Sequence, residues 1–407
     1  MSGNSSASPR QLPNRPNLRH LKDQAKDLLR GGQAVSLSDA QRQIARTYGF
    51  PSWPKLKAHV DSLSQSEEIS QLKQAIDGND FERVKQLMAS NPALHRAPMG
   101  YNNNGPLTWI AECRVPWEPP SAKRLAMAQW LIDHGSDVHQ GGDGPLMRAA
   151  LRSDRIPMME LLVRNGADVR AEWNGDFPII FAPCESVAPG ALKWLLKHGA
   201  DPNCARPGRK YPDTALDYLI GTYSRSNELA ECIDLLLEAG GAGRRNIPAV
   251  MEILRGRIDG LRQLLDEDPA LVSRRFSELD FGGTAYRRLS LEGGTLLHVA
   301  AEFGNIEAAQ LLLERGADVN ARAEVVQADL SGQSPIFHAA TQFQDFGLGM
   351  VRFLVHGGAD LSIRARLPGH YDRPEEVVEC SPLGYALLFP GQENKTVAFL
   401  RDHGAPQ

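Results

Sequence analysis

A short phrase recurs along most of this 407-residue chain. Its best-preserved copy, at 311–321, reads LLLERGADVNA, and degraded copies stand at 130–138, 161–169, 194–203, 235–241, 353–361 and 399–405. The copies share a glycine, found at Gly135, Gly166, Gly199, Gly240, Gly316, Gly358 and Gly404. Their spacing is a period near 33 residues that insertions lengthen. Such a period is typical of a solenoid of stacked repeats, so it constrains the fold before any single residue is considered.

Residues 294–322 show how one repeat is expected to fold. Thr295 can cap a short helix over 297–303, and Gly304 can end that helix in a left-handed turn. A second helix over 306–315 carries its apolar residues on one stripe and is followed by a glycine. One such helix pair is too small to bury its own core, so we expect each pair to stack on its neighbours.

The wording of this repeat, GTLLHVAA at 294–301 and GADVNA at 316–321, closely resembles the ankyrin repeat. About nine repeats can be counted over about 340 residues, well above the roughly three that a stable array needs. They start near Glu68, Pro98, Gly141, Ala171, Ala205, Asn246, Phe276, Ala323 and Ala365. The resemblance implies an all-α ankyrin-repeat solenoid, in which helix–turn–helix repeats are joined by fingers made of loops or β-hairpins.

Two repeats lack the terminal glycine and end in a proline-containing phrase, NPAL at 91–94 and DPAL at 268–271. A long insertion follows each of them. We interpret this pattern as a division into two repeat blocks, 68–245 and 246–407. Ordinary degeneracy of a capping repeat explains the pattern equally well, and the sequence leaves both interpretations open.

Composition excludes several classes of protein. The chain is 42% hydrophobic and 23% charged, as in soluble globular proteins. A net charge of −4 without long basic runs argues against a nucleic-acid or membrane surface, and no stretch approaches the ~20 apolar residues of a membrane span. The five cysteines are widely spread, which favours reduced thiols over structural zinc. We expect a cytoplasmic protein without metal or cofactor.

The N-terminal region lies outside the repeats. Residues 1–16 are rich in serine, asparagine and proline, so we expect a disordered tail rather than a signal peptide. Residues 17–64 predict three helices, with Ser36 and Ser52 as N-caps of the second and third. Residues 45–56 (ARTYGFPSWPKL) are similar to a helical preface on some bacterial ankyrin proteins, which suggests a bacterial source. We expect this helical segment to cap the first repeat; a docking module is the alternative.

In the ankyrin family, the fingers and the short first helices line a concave groove where partners usually bind, so the resemblance implies a site there. Loops of this groove are enlarged at 101–104, 114–120, 277–292 and 367–379, and long loops in a compact array are more often functional than idle. At the position that matches Val299, several first helices carry larger or polar residues: Trp109, Arg148, Phe181, Tyr218, His338 and Tyr385.

Arg148 and His338 stand out, because a charged or imidazole group at a buried position needs partners. The candidate partners are acidic residues nearby: Glu112, Asp143, Asp176, Glu185, Asp213, Asp217 and Glu302. Arg148 can be interpreted as part of a structural ion pair between repeats, and His338 as a hydrogen-bonded histidine of the core. A functional role is the alternative interpretation for both. The residues that we expect to contact a ligand are Tyr101, Asn103, Trp109, Arg148, Trp173, Asp213, Tyr218, Tyr286 and Tyr371.

Local catalytic motifs are absent from the sequence: there is no zinc-protease motif, no nucleophile elbow and no phosphate-binding loop. Scattered carboxylates and histidines could still provide acid–base chemistry without leaving a local motif. The candidate catalytic residues are Glu112, Asp176, Glu302 and His338. If the chain is an enzyme, we expect a cofactor-independent hydrolase or lyase.

Nearly the whole chain is repeat, and this is a fold whose usual role is recognition. We therefore predict a cytoplasmic bacterial ankyrin-repeat protein whose concave groove binds a partner protein or peptide, without nucleic-acid or membrane partners. The alternative is a small-molecule-binding or enzymatic protein with its pocket in the same groove.

Overall fold

Helices dominate the structure, a computed structural model, because the apolar residues of the repeats recur with a helical period. The structure describes residues 12, 18–63, 67–100, 103–112, 118–141, 144–173, 177–205, 214–222, 224–243, 246–279, 289–324, 330, 332–342, 345–370, 373, 376–389 and 394–407. Of residues 61–63, 67 and 173 it describes the backbone alone. The chain divides into an N-terminal unit, Met1–Ala182, and a C-terminal unit, Pro183–Gln407. The disordered tail, the helical cap and the two repeat blocks that are expected from the sequence stay predictions.

The N-terminal unit contains three helices followed by helix pairs. These helices are α1 (Leu18–Arg30), α2 (Leu37–Thr47), α3 (Trp53–Leu63), α4 (Glu67–Asp77), α5 (Phe81–Ser90), α6 (Pro106–Ala111), α7 (Ala122–Asp133), α8 (Gly144–Ala150) and α9 (Ile156–Arg164). The last finger of this unit is a short antiparallel hairpin in which β1 (Glu172–Trp173) pairs with β2 (Phe177–Pro178). Helix α10 (Phe181–Ser186) begins at the end of this unit.

The C-terminal unit continues the same alternation. Its helices are α11 (Pro189–Lys197), α12 (Ala215–Gly221), α13 (Leu229–Glu238), α14 (Pro248–Leu254), α15 (Ile258–Glu267), α16 (Leu296–Phe303), α17 (Ile306–Glu314), α18 (Pro335–Ala340), α19 (Leu348–His356), α20 (Pro382–Ala386) and α21 (Lys395–Asp402). Strands β3 (Ala365–Pro368) and β4 (Val377–Cys380) form a second antiparallel hairpin, with Ala365 opposite Cys380.

Within each unit, alternate helices form two layers. In the N-terminal unit, α6 packs between α4 and α8, while α7 packs on α9. In the C-terminal unit, α14, α16, α18 and α20 stack in order, and so do α15, α17, α19 and α21. Buried leucine, isoleucine, valine and alanine side chains fill the space between the layers. Among the described residues, the helix pairs from α4/α5 to α20/α21 agree with the nine repeats expected from the sequence.

The glycines of the recurring phrase terminate helices as predicted. All seven have a positive φ, for example 86° at Gly316, and Gly304 ends the first helix of its repeat at a φ of 69°. A side chain is strained in this left-handed region, which is why glycine recurs there. After α5 and α15 a 3₁₀ turn replaces the glycine, and the side chains of Asn91 and Asp268 cap it by accepting from the backbone N–H of Ala93 and Ala270.

Where the phrase carries an aspartate after the glycine, this aspartate has a structural role. The Oδ1 atoms of Asp168, Asp201, Asp318 and Asp360 each accept a hydrogen bond from the backbone N–H two residues later, at 2.8–2.9 Å. The asparagine after this turn can join neighbouring fingers. Asn320 donates to the Gly358 carbonyl at 3.1 Å and accepts from the Asp360 N–H at 2.7 Å.

The three N-terminal helices pack around an apolar core of their own. This core includes Leu21, Ala25, Ile44, Leu56 and Val60. The predicted helices are confirmed, and Ser36 caps α2 by accepting from the Asp39 N–H at 3.0 Å. No helix in the part of the chain that the structure describes has both the length and the apolar character needed to cross a bilayer.

Candidate binding face

The residues that match Val299 occupy the same helical position in successive first helices. We use the name first-helix face for these residues and the acidic residues that contact them. In the N-terminal unit its members are Asp77, Trp109, Glu112, Arg148 and Phe181, and in the C-terminal unit they are Glu185, Tyr218, Glu302, His338 and Tyr385. Phe181, His338 and Tyr385 are fully buried.

Trp109 on α6 is held in one orientation by the preceding repeat. Its indole Nε1 donates to Asp77 Oδ1 at 2.8 Å, and the Lys73 ammonium lies 4.6 Å from the ring centroid. The tryptophan is half-buried, so part of the ring stays accessible to solvent. These contacts reduce the conformational entropy that a partner would otherwise have to remove from the side chain.

Arg148 on α8 forms an ion pair with Glu112 at the end of α6. The Nη1 and Oε1 atoms are 3.7 Å apart, and the two side chains are 23% and 10% exposed. This pair agrees with the interpretation of Arg148 as a structural link between adjacent repeats. Arg148 therefore keeps only part of its side chain exposed to solvent.

Tyr218 on α12 makes the corresponding contact in the C-terminal unit. Its hydroxyl donates to Glu185 Oε2 at 2.9 Å, and Thr222 Oγ1 donates to the Glu185 carbonyl at 3.1 Å. The tyrosine ring and the glutamate are therefore fixed relative to each other before any ligand arrives.

A buried network joins Arg225, Glu302 and His338. Arg225 Nη2 lies 2.6 Å from Glu302 Oε1, and His338 Nδ1 lies 2.9 Å from Glu302 Oε2. Gln342 Nε2 donates to the carbonyls of Glu302 and His338, both at 2.8 Å. The side chains of Arg225, Glu302 and His338 are 7%, 4% and 0% exposed. The two candidate catalytic residues of this unit thus share one carboxylate–imidazole contact, inside the protein.

The contacts follow one rule. In each case a donor at the Val299 position meets an acidic residue that ends or nearly ends the first helix of the preceding repeat: Asp77 for Trp109, Glu112 for Arg148, Glu185 for Tyr218 and Glu302 for His338. Glu112, Glu185 and Glu302 were expected from the sequence, whereas Asp77 and Arg225 were not. Arg225 lies in an irregular segment between α12 and α13, where no repeat position marks it.

His298 lies beside this network and is fully buried. Its Nδ1 accepts from the Thr295 N–H at 3.0 Å, so its proton is on Nε2, which donates to the Gln333 carbonyl at 3.1 Å. Burial, with a smaller contribution from His338, lowers the pKa of His298 to about 3. This histidine therefore stays neutral and ties its finger to the next one.

Several predicted site residues cannot be placed. Tyr101, Asp176, Asp213, Tyr286 and Tyr371, together with the side chain of Trp173, lie outside the described part of the chain. Asn103 is exposed and has a φ of 61°. Asp217 is a capping residue, since its Oδ2 accepts from Thr214 Oγ1 at 3.0 Å.

The described cysteines are buried or partly buried thiols. Burial raises the pKa of Cys232 to about 12 and that of Cys380 to about 11, and it raises the pKa of Cys184 well above the usual range. Such thiols are poor nucleophiles at neutral pH. Within the described ranges, no group of three or more histidine, cysteine or acidic side chains has the geometry to hold a metal ion.

Comparison with known proteins agrees with this architecture. The family model described as ankyrin repeats (three copies) matches residues 121–206 and 222–365, more than half of the chain. The B-cell lymphoma 3 protein homolog of mouse is 44% identical over 72 residues, which are 17% of this chain and 14% of the mouse protein. The family match and the helical structure confirm the predicted all-α repeat solenoid.

Proposed function

Because this chain belongs to the ankyrin-repeat family, whose repeats generally mediate protein–protein interaction, we propose that it binds a protein or peptide partner. The site is the predicted concave groove, of which the first-helix face forms part. The observation that carries the proposal is the composition of that face. In the N-terminal unit two successive repeats present an indole and a guanidinium, and in the C-terminal unit one repeat presents a phenol; each of these groups is held by a carboxylate of the preceding repeat.

Preorganised aromatic and arginine side chains suit recognition. Tryptophan, tyrosine and arginine dominate the energetics of protein interfaces, and fixing them beforehand lowers the entropic cost of association. Asn103, Trp109, Arg148 and Tyr218 are the described members of the proposed site. Tyr101, Trp173, Asp213, Tyr286 and Tyr371 remain proposed members, and a bacterial cytoplasm remains the proposed location.

Trp109→Ala is expected to weaken partner binding at least about tenfold, as loss of an interface hot spot does. The full chain is used to capture partners from native extract, and the Kd of the captured partner is measured for each variant. Trp130→Ala is the matched control, because Trp130 lies on the second helix α7, stacked on His134, away from the first-helix face. Equal Kd values for wild type and Trp109→Ala, with equal melting temperatures, would remove the support for this face.

The Glu302–His338 contact favours a second candidate, a cofactor-independent hydrolase or lyase. A carboxylate bound to an imidazole orients a general base, and Glu112 and Asp176 remain further candidates for acid–base roles. His338 is fully buried, so this chemistry requires a substrate path to the imidazole.

His338→Gln is expected to lower any hydrolytic or lyase activity on chromogenic ester and glycoside panels at least about 100-fold, the usual effect of losing a general base. His356→Gln, at an exposed histidine of α19, is the control. Unchanged turnover in the folded His338→Gln variant contradicts this candidate.

A further inference from the structure

A half-open cavity lies between two consecutive fingers of the N-terminal unit. Its volume is about 180 Å³. One wall comes from the loop after α7 and the start of α8. The other comes from the loop after α9, the first residue of β1 and Ile179, which follows β2. This volume holds one leucine-sized or aromatic side chain, so the cavity has the dimensions of an anchor pocket rather than of a site for a large ligand.

The inner part of this cavity is apolar. Leu146 and Met147 line it from α8, and Ala167, Ala171 and Ile179 line it from the second finger. Leu146, Met147 and Ile179 are at most 5% exposed, so they are fixed by the repeat core and form a preformed surface. Burying one further apolar side chain against such a surface is favourable by about 25 cal/mol per Å².

The polar side chains that line the cavity are two carboxylates and the exposed imidazole of His139. Among the described lining residues, Asp168 and Glu172 are the carboxylates, both are exposed, and no lysine or arginine takes part in the lining. Asp168 uses one oxygen, Oδ1, to cap its own turn. The carboxylates therefore place negative charge beside an apolar depression, and the complementary ligand is an apolar side chain flanked by cations.

We propose that this cavity, the finger pocket, anchors an apolar side chain of a partner segment that has lysine or arginine next to it. The proposal rests on the proposed function and adds the chemistry of the partner. The apolar side chain enters between the fingers onto Met147 and Ile179. The neighbouring cation lies at the rim within reach of Asp168 and Glu172.

The test uses the full chain and three labelled pentapeptides with blocked termini. The first has a central leucine between two lysines, the second has the leucine between two glutamates, and the third has a glycine between two lysines. Fluorescence anisotropy is expected to give saturable binding of the first. The second is expected to bind about fivefold more weakly, as loss of two partly exposed charge pairs predicts, and the third at least about tenfold more weakly, as loss of one buried side chain predicts.

Variants of the pocket locate the binding. Asp168→Asn with Glu172→Gln should remove the preference for lysine over glutamate flanks, and Ala171→Leu should abolish binding of all three peptides by filling the cavity. The matched controls are Asp201→Asn, which changes the same turn in the next finger, and Ala205→Leu, at an exposed alanine of that finger. Circular dichroism melts check that every variant is folded.

Each of three peptide-binding results would overturn the proposal. They are no binding of the leucine–lysine peptide below about 1 mM, equal binding of the leucine–lysine and glycine–lysine peptides, and wild-type affinity of both pocket variants for the leucine–lysine peptide. Sedimentation that detects a dimer lost in Ala171→Leu would also overturn it, since a second copy would then occupy the pocket. Failure of the proposed function is distinguishable. If a captured partner binds the pocket variants but does not bind Trp109→Ala, only the finger-pocket proposal is contradicted. If the peptides bind but no partner binds the first-helix face, the proposed protein-binding function is contradicted.

Discussion

Glu302→Gln is expected to lower the free energy of unfolding by about 3 kcal/mol, because removing one member of a buried ion pair leaves the other charge uncompensated. Arg225 is 7% exposed and lies 2.6 Å from the glutamate, so its charge has little access to water. The change also removes the carboxylate that holds His338. Urea unfolding followed by circular dichroism measures the effect.

Glu307→Gln is the matched control for this prediction. Glu307 belongs to the same repeat, on α17, and is exposed, so the isosteric change there is expected to alter stability by less than about 0.5 kcal/mol. Equal urea midpoints for the two variants would mean that the Arg225–Glu302–His338 network contributes little to stability. Because the repeats interact with their nearest neighbours, we expect the loss of stability to be concentrated in α16, α18 and the helices that they contact.

His298 is expected to make the protein less stable as the pH falls below about 6.5. Its pKa is about 3 in the folded chain, whereas an unfolded histidine titrates near 6.5. Between these values the unfolded chain binds a proton that the folded chain does not. The stability that depends on a neutral His298 is therefore fully present above pH ~6.5 and is lost toward pH ~3, at up to about 1.4 kcal/mol per pH unit.

The measurement compares the urea stability of wild type and His298→Gln at pH 7, 6 and 5. The variant starts from a lower stability, since it loses the bonds to Thr295 and Gln333, but its stability should fall less steeply with acid. His356→Gln, at an exposed histidine, should keep the wild-type slope. A His298→Gln slope equal to that of wild type would show that protonation of His298 does not drive the acid sensitivity.

The fold could be predicted from the sequence to a large extent because its signals are local. The glycine of the phrase Leu313–Glu314–Arg315–Gly316 marks a helix end, and Gly316 does end α17 in the left-handed region. The Ser36 cap and the three N-terminal helices also depend on neighbouring residues alone. The 3₁₀ turns after α5 and α15 were not predicted, although Asn91 and Asp268, each before a proline, carry a signal for them.

The candidate site could be predicted only in part. The helical position of Trp109, Arg148, Tyr218 and His338 follows from the repeat period, and Glu112, Glu185 and Glu302 were named as possible acids. Their pairing was not predicted, because it depends on how one first helix stacks on the next. The finger pocket was missed altogether, since Met147 and Ile179 look like ordinary core residues in the sequence.

The sequence by itself determined that this protein is a stack of ankyrin repeats, because a recurring glycine and an apolar stripe act over a few neighbouring residues. Only the tertiary structure decided which charges meet. Arg225 and Glu302 are 77 residues apart, and Glu302 and His338 are 36 apart. Contacts of this kind arise when separate repeats pack side by side, and a periodic pattern specifies the packing without specifying which side chains it brings within hydrogen-bonding distance.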